Sequence, residues 1–309
     1  MRGVAGQPDR ASAGCAADRK PQDEGTTEMA RTTRPLLGRL MFAEGPRWRD
    51  GKLWFSDMHA HRVMTVDLDG RTETVAEIPA WPSGLGFLPD GRLLVVSMTD
   101  RRLLRLDAHG LTEVADLSAL ASFHLNDMVV DRQGRAYIGN FGFDLHGRQP
   151  FKPAELILVT PDGRARVVAD QMGFPNGSVI TPDGSTLIVG ESFNRRLTAF
   201  DIEPDGSLAR RRVWAQLEDG VPDGICLDAE GAIWVASPLT KEVLRVHAGG
   251  KVSERIGFAT QAIACMLGGA DRRTLFVLTA ETTDPDESRA LASARIEIVD
   301  VDVPGAGLP

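Results

Sequence analysis

The sequence predicts an all-β fold, a six-bladed β-propeller with four-stranded blades. Three observations predict it. A pattern of two apolar runs joined by a turn dipeptide recurs six times, the runs have strand composition, and no long amphipathic helical period competes with them.

The six copies read, in order, EGPRWRDGKLWFSD (44–57), SGLGFLPDGRLLVVSM (83–98), NDMVVDRQGRAYIGN (126–140), NGSVITPDGSTLIVGES (176–192), DGICLDAEGAIWVAS (223–237) and ACMLGGADRRTLFVLTA (264–280). Their second turn residues are Gly51, Gly91, Gly134, Gly184, Gly231 and Arg272, spaced 40 to 50 residues apart. A period of about 44 residues is that of a propeller blade. The inner two strands of each blade are the paired runs: LLVVS, TLIVG, AIWVA and TLFVL are β-rich and bounded by turn signals. Asp-Gly at 50–51, 90–91 and 183–184 supplies the positive φ that tight hairpins require. The outer strands are runs such as RVMTVDLDG, RLLRLDAHG, RLTAFDIEPDG and EVLRVHAGG, which also end in turn residues. For the ring to close, ARIEIVDVDV (294–303) and PLLGRLMFA (35–43) are expected to share the last blade, which removes an exposed edge.

Residues 35–305 therefore form one domain. Residues 1–34 are rich in Ala, Gly, Thr and charge, show no hydrophobic period and are expected to be a disordered extension; Met29 opens a second plausible start. They lack the apolar core of a secretory signal. The chain carries 43 acidic and 35 basic residues, and a formal net charge of −8 opposes nucleic-acid binding. No apolar run reaches the ~18 residues of a membrane span. The three cysteines, Cys15, Cys226 and Cys265, share no metal-ligand spacing and suit a reducing cytoplasm. Arg210–Arg212 reads as a solvated basic run. Neither a G-x-S-x-G elbow nor a phosphate-binding loop is present, and the sequence assigns no oligomeric state.

Aligned on the turn residue, the repeats place Ser83, Asn126, Asn176, Asp223 and Ala264 eight residues back, and Glu44 seven back in the first repeat, which is shorter by one residue; these positions are where the innermost strands begin. Taken singly, an Asn or Asp before a strand is an ordinary turn residue. Four of six equivalent positions with carboxylate or amide oxygens point instead to a hard-cation site in the channel, suited to Ca²⁺, Mg²⁺ or Mn²⁺ and tolerant of Zn²⁺.

The motifs EGPRW, HLND, FPNG followed by PDG, and VPDG, in this order within residues 38–302, resemble those of the senescence-marker-protein/gluconolactonase family of regucalcin-like lactonases. The resemblance implies a six-bladed propeller that binds one divalent metal, Ca²⁺ first, and hydrolyses a sugar lactone or related cyclic ester. It carries the metal ligands to Glu44, Asn176 and Asp223, and places Asn126 and Asp127 beside metal and substrate. Within this reading Asp223 is the candidate general base and Asn126 orients water or substrate. His124, Asp127, Ser83 and Phe141 are candidate substrate contacts. His124 stands where sugar-lactone members often have Arg, and Glu191-Ser192 replaces a common Asp-Ser. With Trp81, Met98, Phe141 and Phe143 around the expected mouth, these departures allow a less polar substrate than a sugar. Loops 141–153 and 281–290 are expected to set that choice. The competing readings are other metal-dependent chemistry on the same ring, such as phosphotriester hydrolysis, and a non-enzymatic calcium-binding scaffold.

Overall fold

The computed structural model describes residues 31–307. The extension expected over 1–34 lies largely outside the described residues. Within them, Arg31 pairs with Glu254 and, at 2.7 Å, with Asp302, and the first strand opens at Arg34, so the folded unit takes in the end of that segment.

Six four-stranded antiparallel sheets form the ring. Strand β1 (Arg34–Leu40) belongs to the last of them. Blade one is β2 (Ala43–Arg49), β3 (Lys52–Asp57), β4 (Arg62–Asp67) and β5 (Thr72–Glu77). Blade two is β6 (Pro82–Phe87), β7 (Leu93–Ser97), β8 (Arg102–Asp107) and β9 (Gly110–Asp116). Blade three is β10 (Leu125–Val130), β11 (Ala136–Asn140), β12 (Ala154–Val159) and β13 (Ala165–Met172). Blade four is β14 (Pro175–Ile180), β15 (Thr186–Glu191), β16 (Arg196–Ile202) and β17 (Leu208–Gln216). Blade five is β18 (Ile225–Leu227), β19 (Ile233–Ser237), β20 (Glu242–Val246) and β21 (Val252–Gly257). Blade six joins β22 (Gln261–Gly268), β23 (Thr274–Ala280) and β24 (Ala294–Asp300) to β1, with Arg34 opposite Ile298 and Leu40 opposite Ala294. The two ends of the chain thus latch the ring as expected.

The hairpin between the inner two strands is built by local chemistry. In blade three Asp131 Oδ1 accepts the backbone N–H groups of Gln133 and Arg135, both at 2.9 Å, and Gly134 takes φ 78°. Asp228 does the same for Glu230 and Ala232. Arg272, the non-glycine of the series, adopts the same left-handed conformation with φ 60°.

The core lies between successive blades. One layer unites Val63, Ile78, Leu85 and Val95 of blades one and two, and another joins Leu94, Val96, Leu125 and Ile138 of blades two and three. The layer at the closure is the largest and gathers Phe55, Trp234, Phe276 and Ile296 with Leu36 and Leu37 of β1 packed against it. A short helix, α1 (Pro285–Leu291), sits in the loop between β23 and β24 and is capped by Asp284. Among the described residues no helix is long and apolar enough to cross a membrane.

Because strands alternate direction, each innermost strand starts at the same end of the channel to which its second strand returns. The loops after β3, β7, β11, β15, β19 and β23 therefore surround one mouth. The chain end folds over the opposite mouth, where Gly305 bridges Asp228.

Candidate functional site

The predicted ring forms. Glu44, Ser83, Asn126, Asn176 and Ala264 lie on β2, β6, β10, β14 and β22, and Asp223 lies two residues before the start of β18. The next residues are Gly45, Gly84, Asp127, Gly177, Gly224 and Cys265. A Cβ on Gly84 would meet Met128 N at 2.5 Å, and one on Gly177 would meet Asp223 O at the same distance. A Cβ on Gly45 would meet Ser83 O at 2.7 Å. These glycines let neighbouring innermost strands approach until the polar residues face one narrow space.

That space is strongly acidic. Burial pushes the Glu44 carboxyl well above its usual range, and Asp223 and then Asp127 add repulsion. Asp223 is pushed up to about 8, first by burial and then by Asp127, with the Asn176 amide partly opposing. The repulsion belongs to the group as a whole: a proton or cation accepted by one carboxylate relieves the others. Asp223 Oδ1 is buried without a hydrogen-bond partner among the described residues. Glu44 and Asp223 nevertheless keep part of their surface accessible, whereas Asn126 and Asn176 are buried.

Asp127 is also raised by burial, but Arg47 pulls against that. Arg47 Nη2 donates to Asp127 Oδ1 at 3.1 Å and to Met128 O at 2.5 Å, and Nη1 donates to Pro46 O at 2.7 Å. Asp127 Oδ1 also accepts Met128 N at 2.8 Å. This fixed cation forms the floor of the acidic space. On its other side Arg47 lines a separate cavity with Val130, Ile180, Leu227 and Gly305, toward the far end of the channel.

The two amides are anchored by their N–H groups. Asn126 Nδ2 donates to Pro175 O at 3.1 Å, and Asn176 Nδ2 to Ser192 Oγ at 3.3 Å, while Ser192 Oγ donates to Pro222 O at 2.7 Å. Among the described residues neither amide oxygen accepts a hydrogen bond, so both remain as donors for a cation or ligand. Glu191, half of the Glu191-Ser192 pair that departs from the family's Asp-Ser, belongs to the scaffold. It is fully buried and bonded to Gly173 N, Asn194, Arg196 and Thr198, and its neighbour Ser192 is the one that reaches the ring. Among the described residues no three His, Cys, Asp or Glu side chains cluster as a metal group. The ring instead combines two carboxylates with amide oxygens, a donor set suited to a hard cation.

Around this space runs an aromatic wall. Phe42, Trp81, His124 and Phe174 each lie two residues before a ring residue. Phe42 stacks on His59 at 4.9 Å, and His59 meets Trp81 edge-on at 5.1 Å. His124 stacks on Phe123 at 4.1 Å and lies 6.3 Å from Phe141, which packs 4.5 Å from Phe174. Burial holds His124 below the usual imidazole range, and its Nδ1 is buried without a partner among the described residues. Phe141, Phe143 and Met98 are buried within the wall. Ser83 is buried in the ring, and its carbonyl accepts Ser56 Oγ at 2.7 Å. The sequence reading assigned no role to Arg47, Phe42, His59 or Phe174. The −2 spacing from each ring residue was the signal that could have found the two phenylalanines.

The SMP-30/Gluconolactonase/LRE-like region matches residues 42–281. The chain is 28% identical over 281 residues to the 6-deoxy-6-sulfogluconolactonase of Pseudomonas putida, covering 87% of this chain and 94% of that one. It is 30% identical over 252 residues to regucalcin of Danio rerio, covering 77% and 82%. The solved structure of a gluconolactonase from Xanthomonas campestris superposes with a TM-score of 0.72 at 25% identity, covering 88% of this chain and 89% of that one. With this match across most of the folded chain, and the ring motifs at equivalent positions of six blades, the chain belongs to the SMP-30/gluconolactonase family.

Proposed function

We propose that this protein is a lactonase whose channel mouth binds a divalent cation through Glu44, Asn176 and Asp223 and hydrolyses a cyclic ester there. The observation that carries the reading is the Asp223 carboxyl, buried beside a second carboxylate with one oxygen left unpartnered. Such a group is costly unless a cation or proton compensates it. The lactonase names of the relatives support the reaction class. A hard divalent cation fits this donor set, Ca²⁺ first and Mg²⁺, Mn²⁺ or Zn²⁺ as alternatives. When bound, it supplies Lewis acidity toward a carbonyl oxygen and lowers the pKa of water.

The chain's own residues do the rest. Ionised Asp223 accepts a proton from the water that attacks the lactone carbonyl. As the ring C–O bond breaks, that proton passes to the departing ring oxygen, and a hydroxy acid leaves. Asn126, held by Pro175 O, presents its amide oxygen to orient water or ester. Arg47 holds Asp127 away from the reaction as a paired anion. The aromatic wall restricts bulk water. The compartment in this reading is the cytoplasm, in keeping with Cys226 and Cys265, which are free and have their sulfurs 3.8 Å apart.

The test is a panel of lactones and phosphotriesters assayed after chelation and after adding each cation in turn. Lactone turnover that chelation abolishes, and that Asp223→Asn lowers by at least about a hundredfold, is expected. Turnover unchanged by chelation, or turnover confined to phosphotriesters, overturns the proposal.

A further inference from the structure

We infer that the preferred substrate is a lactone bearing a long apolar substituent, which lies along an aromatic track from the acidic ring to the mouth. This rests on the lactonase reading and adds the substrate class.

The track begins beside the ring. Phe42 and His124 directly precede the first residues of β2 and β10, two residues ahead of Glu44 and Asn126. Trp81 and Phe174 occupy the corresponding places in blades two and four, both with φ 65°. A left-handed conformation at a bulky residue is uncommon and strained, and it persists only where the surroundings hold it. Two blades thus maintain the same unfavourable backbone to seat an aromatic ring at the same level.

From Phe174 the apolar surface continues outward. Phe193 lies 5.3 Å from Phe174 and 5.4 Å from Phe143, and it stacks on Phe151 at 5.4 Å with planes 15° apart. Phe151 and Phe193 are 47% and 49% exposed at the rim. Leu239 and Leu291 are 70% and 54% exposed. These four lie in the loops after β11, β15, β19 and β23, all at the mouth that holds the acidic ring. The other large exposed apolar residues, Leu68, Leu111, Val167 and Val213, lie on outer strands and far-side turns. Exposed apolar side chains concentrated around one opening, two of them, Phe151 and Phe193, continuous with its buried wall, mark a binding surface. A polyhydroxylated ring against these faces would lose water contacts that aromatic carbons do not replace, whereas an alkyl or aryl chain gains burial.

The experiment uses γ-lactones of rising alkyl length, from γ-butyrolactone to γ-decalactone, beside glucono-δ-lactone. Turnover is measured on the wild type, and binding is measured by calorimetry on Asp223→Asn, which keeps the track intact. We expect kcat/KM and affinity to rise about fourfold per added methylene until the track is filled. The half-exposed pair Phe151→Ser/Phe193→Ser, confirmed folded by circular dichroism, should flatten that slope. Flat dependence on chain length, or glucono-δ-lactone outperforming every alkyl lactone, overturns the inference and leaves the lactonase reading standing. Binding that tightens with chain length without turnover of any lactone supports the track and overturns the lactonase reading.

Discussion

Arg47→Met is expected to destabilise the fold in a way that depends on pH, and the structure sets the size. The side chains of Arg47 and Asp127 are only 5% and 9% exposed and meet at 3.1 Å. Removing one partner of a buried pair leaves an uncompensated charge, which costs about 3–5 kcal/mol. Asp127 can escape by taking a proton. Counted from its ordinary value of 3.8, that escape costs at most about 4 kcal/mol at pH 7, because one pKa unit is worth about 1.36 kcal/mol, and it caps the charge penalty. The variant's Asp127 is raised further than the wild type's, so its deficit is absent wherever wild-type Asp127 is itself protonated and grows as pH rises beyond that, by up to about 1.4 kcal/mol per unit. A smaller part, about 1 kcal/mol or more, is independent of pH and reflects the lost donors to Pro46 O and Met128 O. Urea unfolding followed by tryptophan fluorescence at pH 5, 6, 7 and 8 reads both parts. Asp127→Asn in the Arg47→Met background should remove the slope with pH and leave the constant part. A deficit of equal size at all four pH values, or a double variant no better than the single one, would refute this electrostatic account.

Cation and proton should compete at the ring. Asp223 and Glu44 both have raised folded pKa values, so their contribution to stability is full below about pH 4 and is lost as pH rises through about 8 in cation-free protein. Thermal scans with chelator should therefore show a falling Tm from pH 5 to 8, Ca²⁺ should restore it most at pH 8, and calorimetry in two buffers at pH 7 should detect proton release on binding. His59 acts in the opposite sense. Burial, reinforced by Arg289 and His146, lowers it to about 4, so stability present above pH 6.5 is lost as pH falls toward 4, by roughly 3 kcal/mol; His59→Phe should reduce that acid loss in urea titrations. Gly84→Ala should cost about 1–3 kcal/mol by overpacking, because its Cβ would meet backbone at 2.5 Å. Gly51→Ala, with open space around it and φ 77°, should cost only the left-handed strain of about 1–2 kcal/mol, and the ratio of the two urea midpoints checks the distinction.

The turn glycines and the ring residues are legible because both recur at one period, and six copies outweigh the ambiguity of any one Asn or Asp. The latch between 35–43 and 294–303 is legible for a related reason: unpaired strand patterns at both chain ends need a common partner. Arg47 is not legible. Its partner Asp127 comes from blade three, and nothing local in EGPRW indicates which carboxylate the guanidinium will meet. Glu191 is legible only as a departure from a family motif; its pairing with Arg196 and Thr198 across the sheet, which ties it to the scaffold, is not. Of the aromatic wall, Trp81, Phe141 and Phe143 are legible at the mouth, whereas the contacts of Phe42 with His59 and of Phe141 with Phe174 are set by tertiary packing that no single repeat displays.

The latch also sets an order of events. Of the described strands β1 is made first, and its partner β24 is made last. At ~5–20 residues per second of synthesis, the interval between them is on the order of tens of seconds. For that time β1 has no hydrogen-bonded partner and offers an open edge to other nascent chains. The charges on the strand itself, Arg34 and Arg39, are well placed to discourage such pairing until the circle is complete.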